Sequence, residues 1–246
     1  MNKATAIFIL SAISFGTAAQ ASVYEMSWNG QNLPNLGINH DAGKIKKMST
    51  VFDSGTNRLK YEVTLGKSSA GLKANGFWLV VSPGANPKGH ANELAIFYYD
   101  VSGSNPVLTA YNYNGQNGYT SYQTGTKLLS SKNNASSIFS LTNRTEGQDK
   151  VLGFDINATA INAHRPASGV QGQWTGAKFG SKMGIWMHPV SGLSTSYNKD
   201  GFLKSFNFCK AGWFDGENLK TQVVPEPASA AILAVGGAFL AFRKRK

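Results

Sequence analysis

A stretch of strict alternation constrains this chain more than any other feature. Leu59, Tyr61, Val63 and Leu65 alternate with Arg58, Lys60, Glu62 and Thr64. Successive side chains of a strand point to opposite faces, so this pattern buries one face and wets the other. Two further runs, residues 76–81 and 94–99, are apolar throughout and read as central strands covered on both faces. Turn signals separate such runs: Asn29-Gly30, the cluster at 53–57, and Asn114-Gly115. No long segment repeats apolar residues at helical spacing.

Strands are therefore expected at 23–28, 45–52, 59–65, 76–81, 94–99 and 107–113. A hairpin is expected from 138–141 and 151–156, with more strand at 178–189 and 202–213. Residues 31–43 read as loop, 114–136 as a polar glycine-rich stretch around Leu128 and Leu129, and 220–224 as a short tether. The expected fold is all-β, an antiparallel two-layer β-sandwich of jelly-roll or lectin-like type. About 200 residues suffice for one ample core.

The two ends differ from this pattern. Met1-Asn2-Lys3 is a short basic start, residues 4–15 are mostly apolar, and Ala19-Gln20-Ala21 fits the small-x-small cleavage rule. Residues 1–21 thus read as a signal peptide cut after Ala21 by signal peptidase. At the other end, residues 228–242 carry no charge and precede Arg243, Lys244, Arg245 and Lys246. As a helix at about 1.5 Å per residue, that run spans about 22 Å, short against a bilayer core of about 30 Å. The four cations resist translocation and form a membrane stop. Pro225 and Pro227 bracket Glu226, so the helix starts no earlier than Pro227.

A plain tail anchor, a lipid-anchor signal and a sorting-enzyme substrate all begin from such a run. Pro225-Glu226-Pro227, then a small-residue-rich apolar segment, then the Arg/Lys cluster, resembles the PEP-CTERM sorting signal of exported bacterial proteins handled by exosortases. The resemblance covers about a tenth of the chain. It implies that Pro225, Glu226 and Pro227 are the recognition motif, that processing occurs at or near them, and that the precursor sits transiently in the inner membrane. The expected organisation is a signal peptide at 1–21, a β-sandwich domain at 22–219 and a sorting tail at 220–246. The tail divides into the motif at 225–227, a short transmembrane helix at 228–242 and the basic stop at 243–246.

The formal charge of +11 overstates the basicity of the exported part. Removing Lys3, Glu226 and the four terminal cations leaves 19 basic and 12 acidic side chains, a net charge of +7. The cations are scattered, with only Lys44, Lys46 and Lys47 clustered, so nucleic acid is not an expected partner. Cys209 is the one cysteine and makes no internal disulfide. Its strand-like surroundings predict a small buried side chain.

Candidate chemistry is sparse, and no cofactor is expected. His40, His90, His164 and His188 lie in no zinc-binding spacing, and there is no Gly-x-Ser-x-Gly elbow. Glycoside hydrolysis needs two facing carboxylates, for which Glu62 and Glu93 are the candidates. The turns at 53–57 and 100–105 carry oxygen ligands suited to calcium, but equally the side chains that β-turns favour. The most suggestive surface is residues 111–122, where Tyr111, Tyr113, Tyr119 and Tyr122 alternate with Asn, Gln and Gly. Tyrosine faces stack on sugar rings and amides bond hydroxyls, so this hairpin is a candidate glycan-facing surface. The same tyrosines could instead cap the core edge. His164, Arg165 and Trp174 are candidates for the same rim. The expected function is a non-catalytic structural or adhesive protein of the envelope or extracellular matrix, with exopolysaccharide as a partner. The alternative is a secreted polysaccharide-active hydrolase.

Overall fold

A computed structural model describes residues 21–31, 37–133, 139–166 and 173–224. In chain order the strands are β1 (Val23–Trp28), β2 (Gly37–Asn39), β3 (Lys44–Asp53), β4 (Arg58–Gly66), β5 (Ala74–Ser82), β6 (Ala95–Asp100), β7 (Val107–Asn112) and β8 (Lys127–Ser130). They continue as β9 (Phe139–Glu146), β10 (Asp149–Asn157), β11 (Lys182–Ser191), β12 (Ser194–Tyr197), β13 (Leu203–Asn207), β14 (Lys210–Ala211), β15 (Trp213–Lys220) and β16 (Gln222–Val224). One short helix, α1 (Thr159–Asn162), follows β10. Among the described residues no helix is long and apolar enough to cross a membrane. The expected transmembrane helix at 228–242 and the signal peptide up to residue 20 lie outside the described residues.

The strands form two large antiparallel sheets. The first runs β16-β1-β3-β4-β10-β9, and the second runs β2-β15-β11-β5-β6-β7-β8, with β14 also paired to β11. The alternation at 58–65 has the expected result: Leu59, Tyr61, Val63 and Leu65 are buried, while Arg58 and Lys60 are exposed. The turn before β4 is held by Asp53, which accepts from the Gly55 and Thr56 amides at 2.8 and 3.1 Å. Asn57 then takes a φ of 53°, a conformation asparagine tolerates better than most residues.

The inner faces of both sheets supply one apolar core. At its centre Phe77 of β5 lies 5.2 Å from Tyr61 of β4 and 5.1 Å from Tyr99 of β6. Phe97 of β6 meets Phe154 of β10 at 5.3 Å. Burying such aromatic rings is the main favourable term in folding, about 1.5–3 kcal/mol for each side chain of phenylalanine size.

The apolar runs within β5 and β6 are covered on both faces, as their composition predicts. Phe77, Leu79, Val81, Phe97 and Tyr99 enter the inter-sheet core. Trp78, Val80, Ile96 and Tyr98 point the other way into a second apolar cluster. A separate ribbon, β12 paired with β13, contributes Leu203 and Phe206 to that cluster. The two expected layers are thus joined by a third, small one.

Three expectations need correction. Residues 220–224 are not a free tether: β16 pairs with β1, with Val224 opposite Val23. Residues 31–43 include the strand β2, which adds to the edge of the second sheet beside β15. Cys209 is exposed, because it lies in the bend between β13 and β14, with its thiol against Gly192.

Candidate functional site: an aromatic groove on the second sheet

Alternation puts Trp186 and His188 of β11 on one face, two residues apart. β15 runs antiparallel beside β11, with Asp215 opposite Trp186, which brings Trp213 within 6.5 Å of the His188 ring. Lys88 reaches over from the 3-10 turn Pro87–Gly89, whose start is capped by Asn86 accepting from the Lys88 amide at 3.1 Å. Together with Tyr113, Gly115, Gln116 and Asn117 these residues line an open groove of about 440 Å³.

The loop forming one wall is held internally. Ser121 Oγ donates to Asn114 Oδ1 at 2.7 Å, and the Gln116 amide donates to the same oxygen at 3.0 Å. Gly118 lets the loop lie on Trp78, since a Cβ there would fall 2.2 Å from the indole nitrogen.

The groove's charges are largely internal to it. Lys88 pairs with Asp215, and its ammonium lies 5.9 Å from the centre of the Trp186 ring. His188 stacks on Trp78 at 4.4 Å and meets Trp186 edge-on at 5.2 Å. Burial, and then the nearby Lys88 cation, push its pKa down to about 3, so the imidazole is neutral at neutral pH. Trp186 Nε1, His188 Nε2 and Asp215 Oδ1 have no hydrogen-bond partner, but all three atoms are buried beneath the groove surface.

The tyrosines proposed from sequence are placed differently. Tyr111, Tyr113 and Tyr122 are buried, and Tyr119 alone is exposed, at 42%. Tyr111 and Tyr113 do share a face of the β7 segment, but the β12–β13 ribbon and residues 113–125 cover it. Their hydroxyls bind protein: Tyr111 accepts from the Leu203 amide at 2.7 Å, and Tyr113 donates to the Lys88 carbonyl at 3.3 Å. Of the four, only Tyr113 lines the groove. Arg165 and Trp174 line a different cavity, of about 680 Å³, with Asn57, Thr159 and Lys178. His164 sits beside Trp174 at 4.7 Å.

The two candidate glutamates are not brought together. Glu62 lies on β4 of the first sheet, gripped by Arg144 through contacts of 2.9 and 3.1 Å. Glu93 precedes β6 of the second sheet and bonds His90 at 2.8 Å. The oxygen-rich turns use their carboxylates locally: Asp53 in its own turn, and Asp100 for Ser102, Thr195 and Tyr197. Among the described residues no group of three or more His, Cys, Asp or Glu is placed to hold a metal.

Trp186, His188 and Trp213 were not singled out as a site by sequence reasoning. The signal available was the i, i+2 pair Trp186 and His188 on one strand face; the missing information was that Trp213 starts the neighbouring strand.

β16 leads directly into the C-terminal tail. The family profile for the PEP-CTERM protein-sorting motif matches residues 223–246. The chain carries a PEP-CTERM sorting signal. The match begins inside β16, at Val223, and includes Pro225, Glu226, Pro227 and the basic stop at 243–246. It implies an exported precursor, anchored in the membrane before an exosortase-type enzyme processes it. No curated protein and no solved structure matches the chain.

Proposed function

We propose that this PEP-CTERM protein delivers a non-catalytic, glycan-binding β-sandwich to the cell envelope or extracellular matrix. The observation that carries this reading is the groove between β11, β15 and the 113–117 loop. Trp213, 40% exposed, offers an indole face at its mouth, and Gln116, Asn117 and Lys88 offer hydrogen-bonding groups around it. Aromatic faces with a few placed polar groups suit a sugar ring. The groove has one carboxylate beside it, Asp215, already paired with Lys88, whereas glycoside hydrolysis uses two. The finer topology in this reading is jelly-roll or lectin-like. Exopolysaccharide of the producing cell is the partner that the export route makes available.

The test is titration calorimetry of residues 22–224 with exopolysaccharide fragments. Binding in the micromolar to millimolar range is expected, and Trp213→Ala should weaken it about tenfold, or about 1.4 kcal/mol, while leaving the fold intact. Equal binding by both proteins would remove the groove from the account. Hydrolysis of the fragments would favour the enzymatic alternative.

A further inference from the structure

We propose that β16 is the docking strand for the processing enzyme, which adds a strand of its own along the free edge of β16. This rests on the sorting reading of the tail and is independent of glycan binding. β16 ends the first sheet: one edge bonds β1, and no strand among the described residues pairs with the other. Its side chains are unusually bare, with Val223 55% and Val224 41% exposed. An uncovered apolar edge strand invites pairing with another chain, and natural edges usually block this with Lys, Pro or a bulge. Here the first proline, Pro225, comes only after the strand has ended.

Two further facts point to the processing enzyme as the occupant. The sorting-signal match starts at Val223, so two residues of the matched segment are already strand. The strand is also fixed at its entry. Thr221 donates through its amide to Ser181 at 3.1 Å and through its hydroxyl to Gly180 at 2.7 Å. Extended segments are commonly read by strand addition, with main-chain bonds giving affinity and alternate side chains giving specificity. The geometry therefore holds the two residues that immediately precede the motif in a strand.

The test follows precursor conversion by intact mass in a bacterium that processes the full-length wild-type chain. Gln222 precedes the matched segment, so Gln222→Pro leaves the linear motif untouched while removing the amide that faces Glu25 of β1 and so loosening β16 from the sheet. Conversion should slow at least tenfold, with Gln222→Ala near the wild-type rate. Val223→Lys, which keeps the amide but charges the edge, should also slow conversion at least tenfold; because Val223 opens the matched segment, that slowing supports the proposal only together with slowing of Gln222→Pro. Wild-type conversion of both Gln222→Pro and Val223→Lys would overturn the proposal, because the motif alone would then suffice. So would a wild-type 22–224 dimer that Val223→Lys makes monomeric without slowing conversion, since the edge would then serve a second copy. Glu226→Ala is the separate control: if it converts normally, the sorting reading itself fails, whatever β16 does.

Discussion

His188 is the residue whose environment differs most from what its neighbours in sequence suggest. It lies in an apolar strand, stacked on Trp78, with its pKa pushed from the ordinary value of 6.5 to about 3. Between those two values the unfolded chain binds a proton that the folded chain refuses. His188 should therefore lower stability as pH falls from about 6.5 towards 3, with its full contribution regained above 6.5. The slope from this one group approaches about 1.4 kcal/mol per pH unit within that window. Urea unfolding of wild type and His188→Gln across the window should give difference curves with this sign. Asp53, whose pKa is lowered chiefly by the Thr56 hydroxyl, titrates alike in both proteins and cancels. A pH-independent difference would mean that the imidazole is not shielded. The tyrosines divide in the same way by environment. Tyr98 donates to the Gly118 carbonyl and accepts from the Tyr122 amide, so Tyr98→Phe should cost about 1–3 kcal/mol by leaving those groups unpaired. Tyr119→Phe, at an exposed site, should fall within about 0.5 kcal/mol of wild type in the same urea experiment.

At the scale of elements, what was legible in sequence was what periodicity encodes. β1 has the expected bounds, and β3, β4, β5 and β7 differ from expectation by a residue or two at their ends. The short strands were not legible. β2, β12 and β16 have three or four residues each, too few to display a period. The ribbon residues Ser194, Thr195 and Ser196 look like loop by composition, and their pairing with β13 is a tertiary effect. That blind spot explains the tyrosines. The polar stretch after β7 reads as surface, but it folds back with the ribbon over Tyr98 and Tyr111. Gly118 marks how tightly it does so. Gly118→Ala would set a methyl against the rigid Trp78 indole and should destabilise by about 1–3 kcal/mol, with a shift in tryptophan emission. Unchanged emission and stability would mean that the loop is not seated on Trp78.

On the scale of the whole molecule, the first sheet brings the two ends of the exported part together. Val23, two residues after the expected signal cut, pairs with Val224, one residue before the Pro-Glu-Pro motif. Ser22 is held as well: its amide donates to Ser54 Oγ at 2.9 Å, and its carbonyl accepts from the Ser54 amide at 3.0 Å. Neighbouring strands lie about 4.8 Å apart, so both processing sites leave the fold at one edge. The tail itself was legible because its signature is linear: a tripeptide, an apolar run and a basic end can be read without any tertiary contact. The groove needed three distant segments to meet and was legible only in part. On the proposed function, a folded unit spanning residues 22–224 is delivered by ends it then loses. Intact mass of the protein recovered from the cell surface or medium tests this most directly. The account predicts a chain beginning at Ser22 and ending between Val224 and Pro227; a surface protein that retains Lys246 would contradict it.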